Sequence, residues 1–423
     1  MTRRWLLCRA CGAEFDLGPY FAGCPRCGRA LEVTYDYAAL DRSTVAALVD
    51  QSSRARLADL LPVEDLDALV TLGEGNTPLV RSRTLGADLG LACCYFKNET
   101  MNPTWGHKDR AQSIMLTKAR DFGYERITVA STGNHGAAAA AYATRSGRRA
   151  CAVFCPPETS DTLLRLIDSY GGLAFVADWE IRHQFVRYLV AEQGWYPATG
   201  MGPGPATNPY GVEGYKSMAY EIVRDLGRAP DQVYMACAVG ESLYGVYKGF
   251  KELAHFGVID RTPRMVACQP SGANVLERSV AAGRKEAITL PHPSSVATSV
   301  REPTSGEHAL EAIYASDGRA LSVDDDETLA MMRLLGREGI CVEPACAVAV
   351  AGVARERGAG RIGDDELVVA VLTSSGIKWP QQLGLVTHSA TTLEPTLEAL
   401  HDALRVRELD IEGLTRTGTP IHP

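Results

Sequence analysis

Ile127-Thr-Val-Ala-Ser-Thr-Gly-Asn-His-Gly-Ala-Ala-Ala-Ala-Ala-Tyr-Ala-Thr-Arg145 is the stretch of the chain that decides the fold class. Its first four residues form an apolar run of strand length, and the alanine-rich segment from Ala137 onward is typical of a helix. Ala150-Cys-Ala-Val-Phe154 is a second strand-like run, and another helix is predicted from about Asp161. The order strand, helix, strand predicts two parallel strands joined by a crossover helix.

The same alternation continues along most of the chain. Further apolar runs of strand length, separated by helical patterns, follow at Leu173–Val176, Gln232–Cys237, Arg264–Cys268 and Leu367–Leu372. Buried strands alternating with helices predict an α/β fold with largely parallel sheets. Ligands of such sheets bind at the loops that leave the carboxyl ends of the strands, so we expect the chemistry there.

The composition indicates a globular protein of two or three domains and argues against two kinds of partner. The 423 residues are 46% hydrophobic and carry a formal net charge of -8, with no cluster of lysine and arginine. Nucleic acid and an anionic membrane surface are therefore not expected as partners. The apolar runs are shorter than the roughly 18 residues of a membrane-spanning helix. No apolar segment follows the twin arginine Arg3-Arg4, so we expect no signal peptide and a cytoplasmic location.

Four of the twelve cysteines form two Cys-x-x-Cys-Gly turns near the amino end of the chain. Each turn directs two thiolates at one point, which is the ligand arrangement of a tetrahedral four-sulfur zinc site. We expect a structural zinc ion on Cys8, Cys11, Cys24 and Cys27, with no open position for catalysis. Most of the other cysteines are expected to be buried as small hydrophobic residues.

Lys108 is the first residue with a candidate role in chemistry. It lies in Asn102-Pro-Thr-Trp-Gly-His-Lys-Asp-Arg110, where Pro103 and Gly106 restrict the backbone just before a helix. A lysine held in this way can condense with an aldehyde. Taken alone, however, a lysine before a helix is more often simply solvated.

Three loops that follow strands carry further polar groups. Ser131-Thr-Gly-Asn-His-Gly136 offers hydroxyls, an amide and backbone N–H groups at the start of a helix, which suit a carboxylate or phenolate. Ala238-Val-Gly-Glu-Ser-Leu-Tyr-Gly245 has the small residues that let backbone N–H groups surround a phosphate. Thr373-Ser-Ser-Gly376 places hydroxyls after the last strand. Singly, the first two are as often no more than capped turns.

Taken together and in this order, these motifs resemble the fold-type II pyridoxal-phosphate enzymes (the tryptophan synthase beta-like family), and among them threonine synthase and its paralogues. The resemblance extends to about Gln381 and includes Gly73-Glu-Gly-Asn-Thr-Pro-Leu79, Asn208-Pro-Tyr-Gly-Val-Glu-Gly214 and Val342-Glu-Pro-Ala345. It implies two open, mostly parallel sheet domains with an N-terminal zinc-ribbon module, and a homodimer. The implied boundaries are 1–38 for the zinc-ribbon module, 39–105 with 210–385 for the large cofactor-binding domain, 106–209 for a smaller mobile domain and 386–423 for a C-terminal extension.

The resemblance also implies roles for single residues. Lys108 would hold pyridoxal 5'-phosphate as a Schiff base and move protons at the α- and β-carbons of an amino-acid substrate. Asn134 would donate to the cofactor's phenolic oxygen, and Thr373 would face its pyridine nitrogen. The cofactor's phosphate would lie in a cup formed by Gly240, Glu241 and Ser242. The substrate would lie near Thr77, Ser131, Thr132 and His135.

The favoured reaction is that of threonine synthase, from O-phosphohomoserine and water to threonine and phosphate. Three departures from the family pattern keep alternatives open: Trp105-Gly106-His107 before Lys108, His135-Gly136 after Asn134, and Glu241 in the phosphate cup. The alternatives are a serine or threonine dehydratase, a cysteate-synthase-like β-replacement and an enzyme of specialised metabolism. A zinc-ribbon binding protein that has lost catalysis is a third possibility.

A threonine synthase must also bind a second phosphate, that of its substrate. The expected donors are Thr104, Thr132, a charged His135, and Arg110 or Arg301, although Arg110 could instead be an exposed helix residue.

Overall fold

The computed structural model describes residues 2–50, 59–65, 67–201, 208–387, 390 and 392–406. Within these residues it has thirteen strands: β1 (Arg4–Cys8), β2 (Glu14–Phe15), β3 (Leu31–Tyr35), β4 (Leu79–Arg81), β5 (Cys94–Asn98), β6 (Arg126–Ala130), β7 (Ala150–Cys155), β8 (Leu173–Val176), β9 (Tyr196–Pro197), β10 (Gln232–Ala236), β11 (Arg264–Pro270), β12 (Arg319–Val323) and β13 (Val368–Leu372).

The same residues form fifteen α-helices, most of which separate consecutive strands. They are α1 (Arg42–Asp50), α2 (Thr84–Asp88), α3 (Lys108–Asp121), α4 (Asn134–Arg145), α5 (Asp161–Ser169), α6 (Trp179–Gln193), α7 (Pro209–Tyr215), α8 (Ser217–Leu226), α9 (Glu241–His255), α10 (Val275–Ala281), α11 (Glu307–Ala315), α12 (Asp325–Arg337), α13 (Pro344–Gly358), α14 (Pro380–Gly384) and α15 (Leu397–Val406). None of the described helices is both long and apolar enough to cross a lipid bilayer.

The strands form three sheets. A six-stranded sheet has the order β12-β11-β10-β13-β5-β4 and is parallel except for β4, which pairs antiparallel with β5 at the edge. A four-stranded sheet, β8-β7-β6-β9, is parallel throughout. A small antiparallel sheet, β2-β1-β3, belongs to the cysteine-containing amino end. The predicted α/β class with two mostly parallel sheets is confirmed.

The larger sheet is buried because helices cover it. Every residue of β10 and β13 is buried, and α13 packs against both of these strands with a nearly continuous run of buried alanine, valine and cysteine. A parallel strand with both faces covered needs an unbroken apolar sequence, and this explains why the sequence predicted β10 and β13 so clearly. In the smaller sheet, α4 packs against β6 and β7 in the same way.

Three strands of the large sheet were missed by the sequence pattern: the short edge strand β4, β5 and β12. β5 contains Lys97 and Asn98, and β12 contains Arg319 and Ser322, so neither has the unbroken apolar run of a buried strand. Lys97 is nevertheless fully buried, because its ammonium group lies 2.6 Å from the Glu221 carboxylate on α8. A buried ion pair places a charged residue inside the strand and interrupts its apolar run, so a pattern based on hydrophobicity does not predict such a strand.

Contacts divide the chain into one unit that spans residues 1–385 and a second that spans residues 386–423. In the second unit the structure describes α15, whereas residues 407–423 lie outside the described part. The expected split of the first unit into separate domains stays a prediction.

Candidate active site

Lys108 begins α3 and is placed there by a loop that docks onto the end of β13. Trp105 has a positive φ of 58°, and its carbonyl accepts a hydrogen bond of 3.0 Å from the Ser375 N–H. The backbone N–H and the ring Nδ1 of His107 both donate to the Thr373 carbonyl, at 2.8 Å and 3.0 Å. The position of the lysine therefore depends on β13 as well as on its own helix.

The Lys108 amine faces a cavity of about 590 Å³. Burial lowers the pKa of Lys108, and the carboxylates of Glu241 and Glu343 offset part of that shift. The ring of Tyr215 lies beside the amine, with 5.6 Å between Nζ and the ring centroid. A lowered pKa increases the share of neutral amine at neutral pH, which is the form that attacks an aldehyde or accepts a proton.

The loop after β6 presents Asn134 to the same cavity. The Ser131 hydroxyl accepts hydrogen bonds from the N–H groups of Gly133 and Gly136, both at 2.9 Å, so this serine holds the turn in place. Asn134 follows as the first residue of α4 and is buried. Its amide nitrogen donates to Glu343 at 2.7 Å.

Glu343 was not predicted as a site residue, although it stands inside the quoted Val342-Glu-Pro-Ala345 motif. It is buried just before α13, and its two carboxylate oxygens accept from Asn134 and from the Ser299 hydroxyl, each at 2.7 Å. The side-chain amide carries two N–H groups, so Asn134 can donate one hydrogen bond to Glu343 and another to a ligand. A glutamate directly before a helix is usually interpreted as a helix-capping residue. Only the tertiary fold brings Glu343 into contact with Asn134.

The loop after β10 forms a backbone cup at the start of α9. Gly240 has a φ of 97°, and a Cβ atom there would lie 2.3 Å from the Cβ of Ala309, so the position requires glycine. Residues 240–242 line the cavity. The first N–H groups of a helix have no partner inside the helix, and in the cup they can bind an anion.

The cavity brings together most of the predicted cofactor and substrate residues. Its lining includes Lys108, Ser131, Thr132, Asn134, His135, Gly240, Glu241, Ser242 and Thr373. They come from loops at the carboxyl ends of β6, β10 and β13 and from the start of α3, as the strand-end rule predicts. Unpredicted lining residues include Trp179, Arg182, His183 and Arg187 of α6, together with Glu302 and Glu343.

Thr77 and Arg110 belong to a different, buried network. The Thr77 hydroxyl donates to Glu99 at 2.5 Å and accepts from Arg110 at 3.2 Å, and neither Thr77 nor Arg110 lines the cavity. Arg110 is fully buried and forms ion pairs of 2.6 Å with Glu99 and with Glu221. The expectation that Arg110 binds the substrate's phosphate, or else lies exposed, is wrong, because its charge is used to compensate two buried carboxylates.

His135 lines the cavity but is not the charged donor that we expected. Burial lowers the pKa of His135 to about 3, so the ring is neutral near neutral pH. Its Nε2 lies 2.7 Å from the Ala198 carbonyl, to which it donates. Among the other expected phosphate donors Thr132 lines the cavity, whereas Thr104 and Arg301 do not.

The four amino-terminal cysteines converge as predicted. The sulfur atoms of Cys8 and Cys27 are 3.4 Å apart, those of Cys11 and Cys24 are 3.7 Å apart, and all four lie within 4.8 Å of one another. A zinc ion with bonds of about 2.3 Å to four sulfurs separates them by about 3.8 Å, so the cluster has the dimensions of such a site. Six of the other cysteines are buried, which confirms the expectation for most of them: Cys94, Cys151, Cys155, Cys237, Cys268 and Cys346.

Comparison with known proteins shows the family to which the chain belongs. The model of the family described as pyridoxal-phosphate dependent enzyme matches residues 70–374, the part of the chain that contains Lys108 and every loop of the cavity. The chain belongs to this family. The family resemblance noted in the sequence is thereby confirmed.

Several relatives are named threonine synthase. Those of Methanocaldococcus jannaschii and Methanosarcina acetivorans are 33% and 32% identical to this chain, and each alignment covers 94% of this chain and 98% of the relative. The threonine synthase of Halalkalibacterium halodurans is 35% identical over 76% of this chain and 88% of its own length.

Solved structures share the fold at lower identity. Diaminopropionate ammonia lyase from Escherichia coli has a TM-score of 0.67 at 15% identity, covering 82% of this chain and 92% of the other. Threonine deaminase isoform 2 from Solanum lycopersicum has a TM-score of 0.65 at 21% identity, covering 81% and 93%. These identities show the common fold alone.

The residues of the cavity fit pyridoxal phosphate. Lys108 supplies an amine of lowered pKa, Asn134 an amide, Thr373 a buried hydroxyl, and residues 240–242 the N–H groups at the start of a 15-residue helix. The exception is Glu241, which adds a carboxyl group to a cup that has to hold a phosphate.

Proposed function

We propose that this protein is a threonine-synthase-like lyase that converts O-phosphohomoserine and water to threonine and phosphate. The observation that carries this proposal is the identity of 32–35% to threonine synthases of three organisms, over 76–94% of the chain. Membership in the pyridoxal-phosphate dependent family and the cavity around Lys108 support it.

The residues of the cavity suggest how the chain would do this work. Pyridoxal phosphate, when bound, supplies an electron sink for negative charge at the α-carbon of an amino acid. Lys108 would hold the cofactor and then move protons at the α- and β-carbons, because its amine faces the cavity and has a lowered pKa. Asn134, oriented by Glu343, would donate to the cofactor's phenolic oxygen.

Two further assignments concern the cofactor ring and the substrate. Thr373 would present a neutral hydroxyl to the pyridine nitrogen, which leaves that nitrogen unprotonated and favours elimination and replacement over transamination. Ser131 and Thr132 line the cavity and would lie near the substrate's carboxylate.

A sibling reaction is the second candidate, because the cavity offers few cations for a second phosphate. His135 is neutral, and among the described lining residues the cations other than Lys108 are Arg182 and Arg187. Arg182 is already paired with Glu302 at 3.2 Å. A serine or threonine dehydratase, a cysteate-synthase-like β-replacement enzyme and an enzyme of specialised metabolism therefore stay as alternatives.

One experiment separates these candidates. O-Phospho-L-homoserine is incubated with the purified protein and phosphate and threonine are measured, while serine and threonine are tested in parallel for release of ammonia and 2-oxo acid. Equal amounts of phosphate and threonine would support the proposal. Ammonia from serine or threonine without phosphate from phosphohomoserine would replace it with the sibling reaction.

The remaining proposals concern assembly. We propose a structural zinc ion on Cys8, Cys11, Cys24 and Cys27, supported by the sulfur spacing. We also propose a homodimer in the cytoplasm, and a smaller domain at 106–209 that moves relative to the large domain at 39–105 and 210–385.

A further inference from the structure

Glu241 is an acid in a site that has to bind an anion. It is the first residue of α9, it lines the cavity, and it lies between Gly240 and Ser242 in the cup. None of the described residues donates a hydrogen bond to its carboxyl group. A carboxylate beside a phosphate dianion in a partly buried cup costs free energy, so the charge on one of the two groups has to be compensated.

In the protein without cofactor, the positive charge of Lys108 compensates the negative charge of the Glu241 carboxylate. Burial raises the pKa of Glu241, and the Lys108 ammonium is the charged group that opposes this shift. The two other cations of the cavity lining, Arg182 and Arg187, lie on α6 and do not act on the pKa of Glu241, and the remaining titratable groups around Lys108 add no positive charge. His107 has a pKa well below its usual value, Tyr215 and Cys237 have raised pKa values and stay neutral, and Glu302 and Glu343 are acids.

Cofactor binding removes this compensation. Lys108 becomes the point of attachment of the cofactor, and the cofactor's phosphate brings up to two negative charges to the cup. The backbone that carries Glu241 has little room to shift, because a Cβ atom at Gly240 would lie only 2.3 Å from the Cβ of Ala309. Protonation of Glu241 removes the repulsion and converts an acceptor into a donor, which is what a phosphate oxygen needs.

We propose that Glu241 is protonated when the cofactor is bound and that its carboxylic acid donates a hydrogen bond to the cofactor's phosphate, so that binding takes up one proton from solvent. This proposal depends on the cofactor family and not on which amino acid is the substrate.

The proposal predicts the direction in which the affinity for the cofactor changes with pH. If binding takes up a proton, affinity is highest at low pH and falls, by up to about tenfold per pH unit, as pH rises above the pKa that Glu241 has in the free protein. Glu241→Gln has a neutral N–H donor at the same place, so its affinity should lack this part of the pH dependence. Ionisation of the phosphate itself acts equally in both proteins and cancels in the comparison.

The test uses the full chain in a Lys108→Arg background, which removes covalent attachment but keeps the cation that compensates Glu241 in the free protein. Dissociation constants for pyridoxal phosphate are measured by equilibrium dialysis between about pH 5.5 and 8.5, with and without Glu241→Gln. Pyridoxal, which lacks the phosphate, is the control ligand. Glu180→Gln is the control variant, because Glu180 lines the same cavity from α6, outside the cup.

We expect the affinity for pyridoxal phosphate to fall with pH more steeply with Glu241 than with Glu241→Gln, and the affinity for pyridoxal to be equal in both. Parallel curves for pyridoxal phosphate would overturn the proposal, and so would loss of binding in Glu241→Gln at every pH. If the Lys108→Arg protein does not fold, calorimetric titration of the wild-type chain in buffers of different ionisation enthalpy counts the protons directly. Uptake that Glu241→Gln abolishes supports the proposal, and equal uptake in both overturns it. The phosphate-release assay plays no part in this test, so either proposal can fail alone.

Discussion

Arg110 offers the sharpest test of the buried charge network. Arg110 and Lys97 face Glu99 and Glu221, with ion-pair distances of 2.6 Å from Arg110 to each carboxylate and 2.6 Å from Lys97 to Glu221. All four side chains are buried, so Arg110→Met leaves two buried carboxylates with a single cation. Removal of one partner from such a network costs about 3–5 kcal/mol of unfolding free energy.

The cost should depend on pH in a known direction. Burial alone would raise the pKa of Glu99, but the charge of Arg110 outweighs it and holds the pKa below its usual value, and the same holds for Glu221. A carboxyl group with a lowered folded-state pKa contributes stability above its unfolded pKa of about 4.3, and this is lost as pH falls. The penalty of Arg110→Met should therefore be largest near neutral pH and shrink below about pH 5, where the orphaned carboxylate can take up a proton.

The assay is urea unfolding of the cofactor-free protein, followed by circular dichroism at several pH values. Arg120→Met is the matched control, because Arg120 lies on the same helix but is partly exposed and pairs with its neighbour Asp121. The control should change the unfolding free energy by no more than about 0.5 kcal/mol. A cost for Arg110→Met as small as that of the control, or one that does not vary with pH, would refute the reasoning.

Three further predictions concern the active site and the cysteine cluster. Lys108→Ala should abolish turnover and the visible absorbance of the bound cofactor while circular dichroism stays unchanged, and wild-type-like activity would contradict the assignment of the lysine. Glu343→Gln keeps the size of the side chain but loses its charge, so it should alter the pH dependence of the cofactor's absorbance and lower kcat about tenfold or more, whereas Ser299→Ala, which removes only one donor to Glu343, should have a smaller effect on both. Cys24→Ser should lower the metal content measured by atomic absorption from one zinc ion per chain and reduce thermal stability, and a variant with a full complement of metal would exclude the proposed ligand set.

Local patterns were sufficient for the fold class and for most of the cavity. The apolar runs of β6, β7, β10 and β13 are unbroken because both faces of a parallel strand are buried, and the polar loops that follow three of them met at one place, as the carboxyl ends of parallel strands do. The cysteine turns were equally readable, since each is closed by its own backbone hydrogen bond and needs no distant partner. These features depend on neighbours in the chain, so the amino-acid sequence by itself determined them.

The tertiary structure decided what depends on partners from distant segments. Arg110 is a structural charge and not a substrate ligand because Glu99 and Glu221 meet it, 11 and 111 residues away in the chain. His135 is neutral because burial removes its solvation, and Glu343 became a site residue because α13 brings it to Asn134. Charge state and burial are properties of a surrounding volume, and a sequence pattern reports only the order of residues along the chain.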